Sequence, residues 1–199
     1  RPAAVERARR RLSTIGRYAD GILANSAYTA SRIAARLPGP IPPTRVAHLG
    51  TDPRFLAPCA PEPALSGRPY LVAVSTIEPR KNHLLLLKVW RRLVEDLGAA
   101  APRLVIVGRR GWEADAAIAM LERCPSLRGH VLEAGPLPDA ALHKVIASAR
   151  CLLMPSFVEG FGMPVIEALA CGVPVVASDI PVFREIGQGV PDLVDPIDG

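Results

Sequence analysis

Apolar residues along this chain come in short unbroken runs rather than in alternation. Tyr70–Val74, Arg103–Val107, Cys151–Met154 and Val173–Ala177 each read as a strand with no polar face, and Val131-Leu132 opens a weaker one. Strands buried on both sides look like this, and they belong to parallel sheets covered by helices on each face. The intervening stretches carry helical spacing: His83–Leu97, Glu113–Arg123, Asp139–Ala149, Pro164–Ala170 closed by Gly172, and the short Pro181–Ile186. Strand and helix alternate, which predicts an α/β class and a Rossmann-like doubly wound parallel sheet.

The first fifty residues are less regular. Ala3–Arg17 reads as a basic helix, Gly21–Ala24 as a strand, and Ser26 as the cap of a helix running to about Leu37. Prolines and a glycine at 38–43 stop that helix, and Arg45–His48 is a further strand. Five prolines between Pro53 and Pro69 mark that stretch as an interdomain linker. The expected division is therefore residues 1–52, the end of one α/β domain; 53–69, the linker; and 70–199, a second domain.

Composition narrows the function classes. Hydrophobic residues make up 49% of the 199, enough for a sizeable core, and the 22% charged share argues against bulk disorder. The net charge of +5 suits anionic ligands. Aromatics at 5% argue against a base-stacking platform, so no nucleic-acid partner is expected. Cys59, Cys124, Cys151 and Cys171 form no Cys-x-x-Cys pair, so neither a zinc site nor a disulfide framework is expected. No apolar run reaches the roughly 18 residues of a membrane span. Reduced thiols, with no secretory signal in this stretch of sequence, make a cytoplasmic location the expectation, and the Arg7–Arg11 cluster leaves open a peripheral contact with the inner membrane face. A start at Arg1 in what already reads as mid-domain sequence, and an end at Gly199 without a helix stop, suggest a fragment of a longer protein.

Ligands of doubly wound sheets bind beyond the carboxyl ends of the strands. The loop after Val74 runs Ser75-Thr76-Ile77-Glu78-Pro79-Arg80-Lys81-Asn82. Arg80 and Lys81 are adjacent cations at a helix start, where they repel each other and the helix dipole. A diphosphate would relieve that repulsion, with Arg80 as a planar fork and Lys81 as a point charge. Two solvated surface cations are the plain alternative. The loop after Met154 reaches Glu159-Gly160-Phe161-Gly162-Met163-Pro164, with Glu167 beyond a spacer of seven residues. The glycines permit close backbone approach, and the helix start offers free N–H groups. Two carboxylates at this spacing can each accept hydrogen bonds from sugar hydroxyls; alternatively, Glu159 caps the helix and Glu167 is solvated. His83 and His143 read as structural or exposed, Trp112 as a loop anchor, and Asp179 as the cap of the last helix. No Asp-x-Asp occurs to hold a metal on a diphosphate, and no Gly-x-Gly-x-x-Gly follows the Tyr70–Val74 strand to bind a dinucleotide.

The Ser75–Asn82 stretch, Val105–Gly108, the Gly135-x-Leu137-x-Asp139 pattern and above all Glu159-Gly160-Phe161-Gly162 through Glu167 to Val176 resemble glycosyltransferase family 4. That resemblance implies a retaining, metal-independent enzyme of the GT-B type, with two Rossmann-like domains and the active site between them. It implies that residues 1–52 are the end of the acceptor domain and 70–199 the donor domain. By position, Arg80 and Lys81 would hold the donor diphosphate, Glu159 the transferred sugar and Glu167 the ribose. Gly160, Phe161, Gly162 and Met163 would lie under sugar and phosphates, Leu137 would grip the base, and Ser75 and Thr76 would line the donor site. The implied donor is a nucleotide sugar, with GDP-mannose leading, and the implied acceptor a glycan or lipid-linked sugar, as in surface polysaccharide or glycolipid assembly. The family's acceptor-side histidine and first Gly-rich loop have no counterpart here. A binding module without turnover and a GT-B-fold nucleotide-sugar epimerase stay open as alternatives.

Overall fold

The structure, a computed structural model, describes residues 2–65 and 67–198. Arg1 and Gly199, the two ends on which the expectation of a fragment draws, and Ser66 in the predicted linker lie outside the described residues. The chain forms two compact units, residues 1–50 and 51–199.

In the first unit, α1 (Pro2–Tyr18) leads into β1 (Ile22–Ala24), α2 (Ala27–Ala34) and β2 (Thr44–Val46), with β1 and β2 parallel. Ser26 caps α2 as its sequence implies: its hydroxyl oxygen accepts from Thr29 N–H at 3.0 Å. Three of α2's predicted residues lie outside it, because the chain turns at Ala35 and tucks Leu37 inward. The arginines of α1 are exposed, and Arg10 pairs with Glu6 at 3.1 Å.

The second unit is built on six parallel strands: β3 (Tyr70–Val74), β4 (Arg103–Val107), β5 (Val131–Gly135), β6 (Cys151–Met154), β7 (Val175–Ser178) and β8 (Asp192–Val194). Their order in the sheet is β5-β4-β3-β6-β7-β8. The chain works outward from β3 in one direction, then returns to β6 and works outward in the other. Leu71 and Ala73 look to the same side as Leu104 and Ile106, where α3 (His83–Leu97) and α4 (Asp115–Arg123) bury Leu86, Leu87, Trp90 and Ala117 against them. Tyr70 and Val72 look to the other side, and the Tyr70 hydroxyl donates to Val145 O of α5 (Asp139–Ala147) at 2.7 Å. Burial on both faces explains the absence of alternation in the sequence.

The elements differ from expectation where a local bond or dihedral intervenes. Val173 N–H donates to Ala168 O at 2.9 Å, completing the end of α6 (Met163–Ala170), so β7 starts only at Val175. Glu113 has φ 49, a left-handed conformation, and α4 starts two residues later than predicted, at Asp115. β8 was not expected: three residues, Asp192-Leu193-Val194, are too short a run to give a pattern, and the strand exists through its pairing with Val176–Ser178. Asp179 does not cap α7 (Pro181–Gly187); it pairs with Arg184, whose Nη2 lies 2.6 Å from Oδ2. The Pro-rich segment packs in part against the sheet's helices, since Phe55 is buried with its ring edge-on to His143 at 5.3 Å.

Candidate functional site

β3 and β6 are neighbours at the point where strand order reverses, the place where ligands of such sheets bind. The loops after these two strands carry the predicted cations and the first predicted glutamate. They are held together by backbone as well as side chains. Ser75 N–H donates to Val107 O and Ile77 N–H to Arg109 O, each at 2.9 Å, which continues the β3–β4 ladder into the loops. On the other flank, Phe157 N–H donates to Arg80 O at 2.9 Å. Gly108 permits this fit: its φ is 146, and a Cβ there would meet Ser75 O at 2.0 Å.

Pro79–Lys81 form a 3-10 turn, and Asn82 takes φ 56 before α3 begins. Asparagine tolerates that left-handed conformation better than most residues. Its Nδ2 donates to Pro196 O at 2.8 Å, tying the turn to the segment after β8. The turn aims both cations at Glu159. Lys81 Nζ hydrogen-bonds Glu159 Oε1, and Arg80 Nη1 lies 3.1 Å from Oε2. Arg80 Nε also pairs with Glu78 Oε1 at 2.5 Å. The side chains of Glu159 and Lys81 are 7% and 11% exposed, so this is a nearly desolvated pair, whereas Arg80 stays 43% exposed. The repulsion expected between Arg80 and Lys81 is thus relieved within the chain, by Glu159 and Glu78. Glu159 does not cap α6: Gly162 holds the cap position at φ 101, and no side chain caps the helix.

Gly162 has a packing reason beside its dihedral, because a Cβ there would lie 2.6 Å from Cε1 of the buried Phe183. Phe161 is 5% exposed, so its ring belongs to the core and only its backbone can face a ligand. Gly160 and Met163 flank this turn into α6. Thr76 packs beside Gly111, where a Cβ would come within 2.6 Å of its Cγ2. Leu137 lies half-buried between β5 and α5.

Glu167 sits on α6 in a different setting. It is half-buried, and no hydrogen bond or ion pair reaches its carboxylate among the described residues. Burial first, then the charges of Asp139 and Asp52, push its carboxyl above the ordinary range. The nearby cation, Arg54, is committed to those two aspartates, with Nη1 3.2 Å from Asp139 Oδ2 and Nε 3.2 Å from Asp52 Oδ1.

His83, read from sequence as structural or exposed, stands under the cation turn. It is 2% exposed, with Nε2 3.2 Å from Ser75 Oγ and no partner for Nδ1. Burial and then Lys81 lower its pKa to about 4. The cue available in sequence was its place directly after Arg80-Lys81-Asn82. Among the described residues no three His, Cys, Asp or Glu side chains gather as a metal site, and no helix is long and apolar enough to cross a membrane. The four cysteines are half-buried free thiols.

A parallel sheet of this order, with charged loops at its switch point, places the chain among doubly wound α/β proteins, whose ligands bind beyond the carboxyl ends of the strands. The family model for glycosyl transferases group 1 matches residues 60–188, and the chain belongs to that family. It is 37% identical over 149 residues to the O-antigen chain mannosyltransferase B of Escherichia coli, covering 73% of this chain and 39% of that protein. It is 33% identical over 190 residues to a GDP-mannose-dependent phosphatidylinositol monomannoside mannosyltransferase of Mycolicibacterium smegmatis, covering 85% and 47%. The chain therefore spans less than half the length of these relatives. Among solved structures, Anabaena HepE in complex with UDP and glucose superposes with a TM-score of 0.74 at 20% identity, over 92% of this chain and 51% of that one. That likeness concerns the fold.

Proposed function

We propose that this chain binds the donor of a retaining, metal-independent hexosyltransferase, with a nucleotide sugar as donor and GDP-mannose favoured. The observation that carries this reading is the convergence of Arg80 and Lys81 on Glu159 across the two switch-point loops. The cluster holds two cations around a carboxylate, a charge pattern that a diphosphate can enter. As it does so, the cations pass from Glu159 to phosphate oxygens, and Glu159 is released to accept hydrogen bonds from the sugar hydroxyls. When the bond between the anomeric carbon and the phosphate oxygen breaks, negative charge grows on the diphosphate. Arg80 and Lys81 then stabilise the transition state more than the ground state. In front-face substitution the departing phosphate takes the acceptor's proton on the side where the acceptor attacks, so anomeric configuration is retained. Glu167, with no cation of its own, is left to accept from the ribose hydroxyls.

The sugar and base rest on the relatives, which are named as mannosyltransferases, one of them GDP-mannose-dependent. A glycan or lipid-linked acceptor is proposed on the same ground. The exposed arginines of α1 are suited to a peripheral contact with an anionic lipid face at the inner side of the membrane. Calorimetric titration of the chain with GDP, UDP and ADP, each alone and as its sugar conjugate, tests the reading. Saturable binding of GDP, abolished by Lys81→Ala, is expected; failure of all six ligands to bind overturns it.

A further inference from the structure

The strongest unexplained group beside the site is the His83 imidazole. It is buried, it lies at the base of the Arg80–Lys81 turn, and it reaches back eight residues to Ser75. Its other nitrogen has no partner. We infer that His83 is a positioning residue that holds the Ser75 hydroxyl as a hydrogen-bond donor to the donor diphosphate. This rests on the nucleotide-sugar reading given above.

The protonation pattern decides the matter. An imidazolium would bury an N–H at Nδ1 with nothing to accept it, next to the charge of Lys81. The neutral ring avoids that, in accord with its lowered pKa. Of the two neutral tautomers, the one protonated at Nδ1 still buries an orphan donor, whereas the one protonated at Nε2 leaves only a bare lone pair. Orphan buried N–H groups are rarer in folded proteins than under-used acceptors. Nε2–H therefore donates to Ser75 Oγ across 3.2 Å.

A hydroxyl whose oxygen already accepts from the ring points its own hydrogen elsewhere. Among the described residues no acceptor takes that hydrogen, and Ser75 is half-exposed at the end of β3. Ser75 N–H is bonded to Val107 O, so the backbone on which the hydroxyl stands is fixed. A phosphate oxygen drawn in by Arg80 and Lys81 is the acceptor that this geometry fits. A neutral ring also adds no third positive charge to the pair, so the cations keep their full attraction for the ligand.

Long-range proton–nitrogen NMR of the unsubstituted chain at neutral pH reads the tautomer directly. A protonated Nε2 and a bare Nδ1 are expected for His83; an Nδ1–H tautomer or an imidazolium overturns the inference, whether or not nucleotide binds. Titration with GDP supplies the second arm. Ser75→Ala and His83→Leu should each weaken binding roughly tenfold or more, the effect of losing one hydrogen bond to a charged group. The double variant should be no weaker than either single one. His83→Gln, whose amide can donate to Ser75 Oγ, should restore binding where His83→Leu lost it, an outcome that mere space-filling would not give. Additive losses, or a His83→Leu chain that binds as the parent does, overturn the inference. If the parent binds no nucleotide, the donor reading fails while the NMR arm still decides the tautomer.

Discussion

The two predicted glutamates stand in opposite electrostatic settings. Glu159 is nearly buried but held by Lys81 and Arg80. Glu167 is half-buried with no cation paired to it, and the charges of the acids Asp139 and Asp52 add to burial in raising its carboxyl's pKa. A carboxylate that two cations already satisfy must be released before it can act, whereas an unsatisfied one carries a standing cost that a ligand's hydroxyls can lower. The first arrangement sets the shape of the loops in the free chain. The second keeps hydrogen-bonding capacity in reserve. The difference separates a group that organises the site from one that waits for a partner.

The largest effect should come from breaking the first arrangement. Lys81→Ala leaves the 7% exposed Glu159 carboxylate with Arg80 alone. Stability should fall by about 3 kcal/mol in denaturant unfolding, the range for removing one partner of a buried pair. On the donor-site reading proposed above, donor turnover by the full-length protein should fall on the order of 10²-fold, as when one contact to a developing anion is lost. An unfolding midpoint equal to the parent's would show that the pair is not a structural clamp. Gly108→Ala tests the backbone half of the same clamp. Its Cβ would press on Ser75 O, which belongs to the main chain and cannot swing aside. A loss of about 2–3 kcal/mol is expected by the same denaturant method, in line with overpacked interior sites.

The ring of His83 sharpens the comparison through pH. Its folded pKa of about 4 lies below the ordinary histidine value of 6.5, so the unfolded chain binds the proton more readily. The stability held by the neutral ring is complete above the unfolded value and is lost as pH falls from about 6.5 through about 4, by up to roughly 3 kcal/mol. His83→Gln should flatten that part of the stability curve. An unchanged slope would mean that the ring titrates freely in the fold.

Much of this was legible in the sequence. Unbroken apolar runs such as Tyr70–Val74 and Arg103–Val107 can only be buried on both faces, so sheet type and the bounds of β3 and β4 could be read from them. The switch-point loops could be read as well, because β3 and β6 are clear runs and their loops carry the charged residues. What stayed hidden were relations across the sheet. Nothing in the spacing of Lys81 and Glu159, 78 residues apart, says that they pair. The burial of His83 depends on how α3 leaves the turn, which Asn82 sets by its left-handed backbone. β8 gave no signal, since an edge strand of three residues owes its form to its neighbour. Asp179 was misread because capping and pairing with Arg184 use the same carboxylate, and the sequence holds both options.

The smallest effect is reserved for Glu167, where stability and binding should move in opposite directions. Its carboxyl titrates above the ordinary range in the fold, so the folded chain holds the proton more tightly than the unfolded one. Stability from this group is therefore present at low pH and lost as pH rises through the folded value, the reverse of the usual carboxylate. Glu167→Gln removes a charge that burial and two nearby acids disfavour, and the amide keeps the shape. At pH 7 the variant should unfold at a slightly higher denaturant concentration than the parent, and the gap should close as pH falls towards the carboxyl's own titration. Affinity for GDP should nonetheless drop, by roughly tenfold, because a neutral amide accepts more weakly than a carboxylate. A variant that is more stable and binds as well as the parent would remove Glu167 from the donor site while leaving the Glu159 cluster untouched. A variant that is less stable at pH 7 would mean that Glu167 has a partner in solution, and the contrast between the two glutamates would then fail at its weaker end.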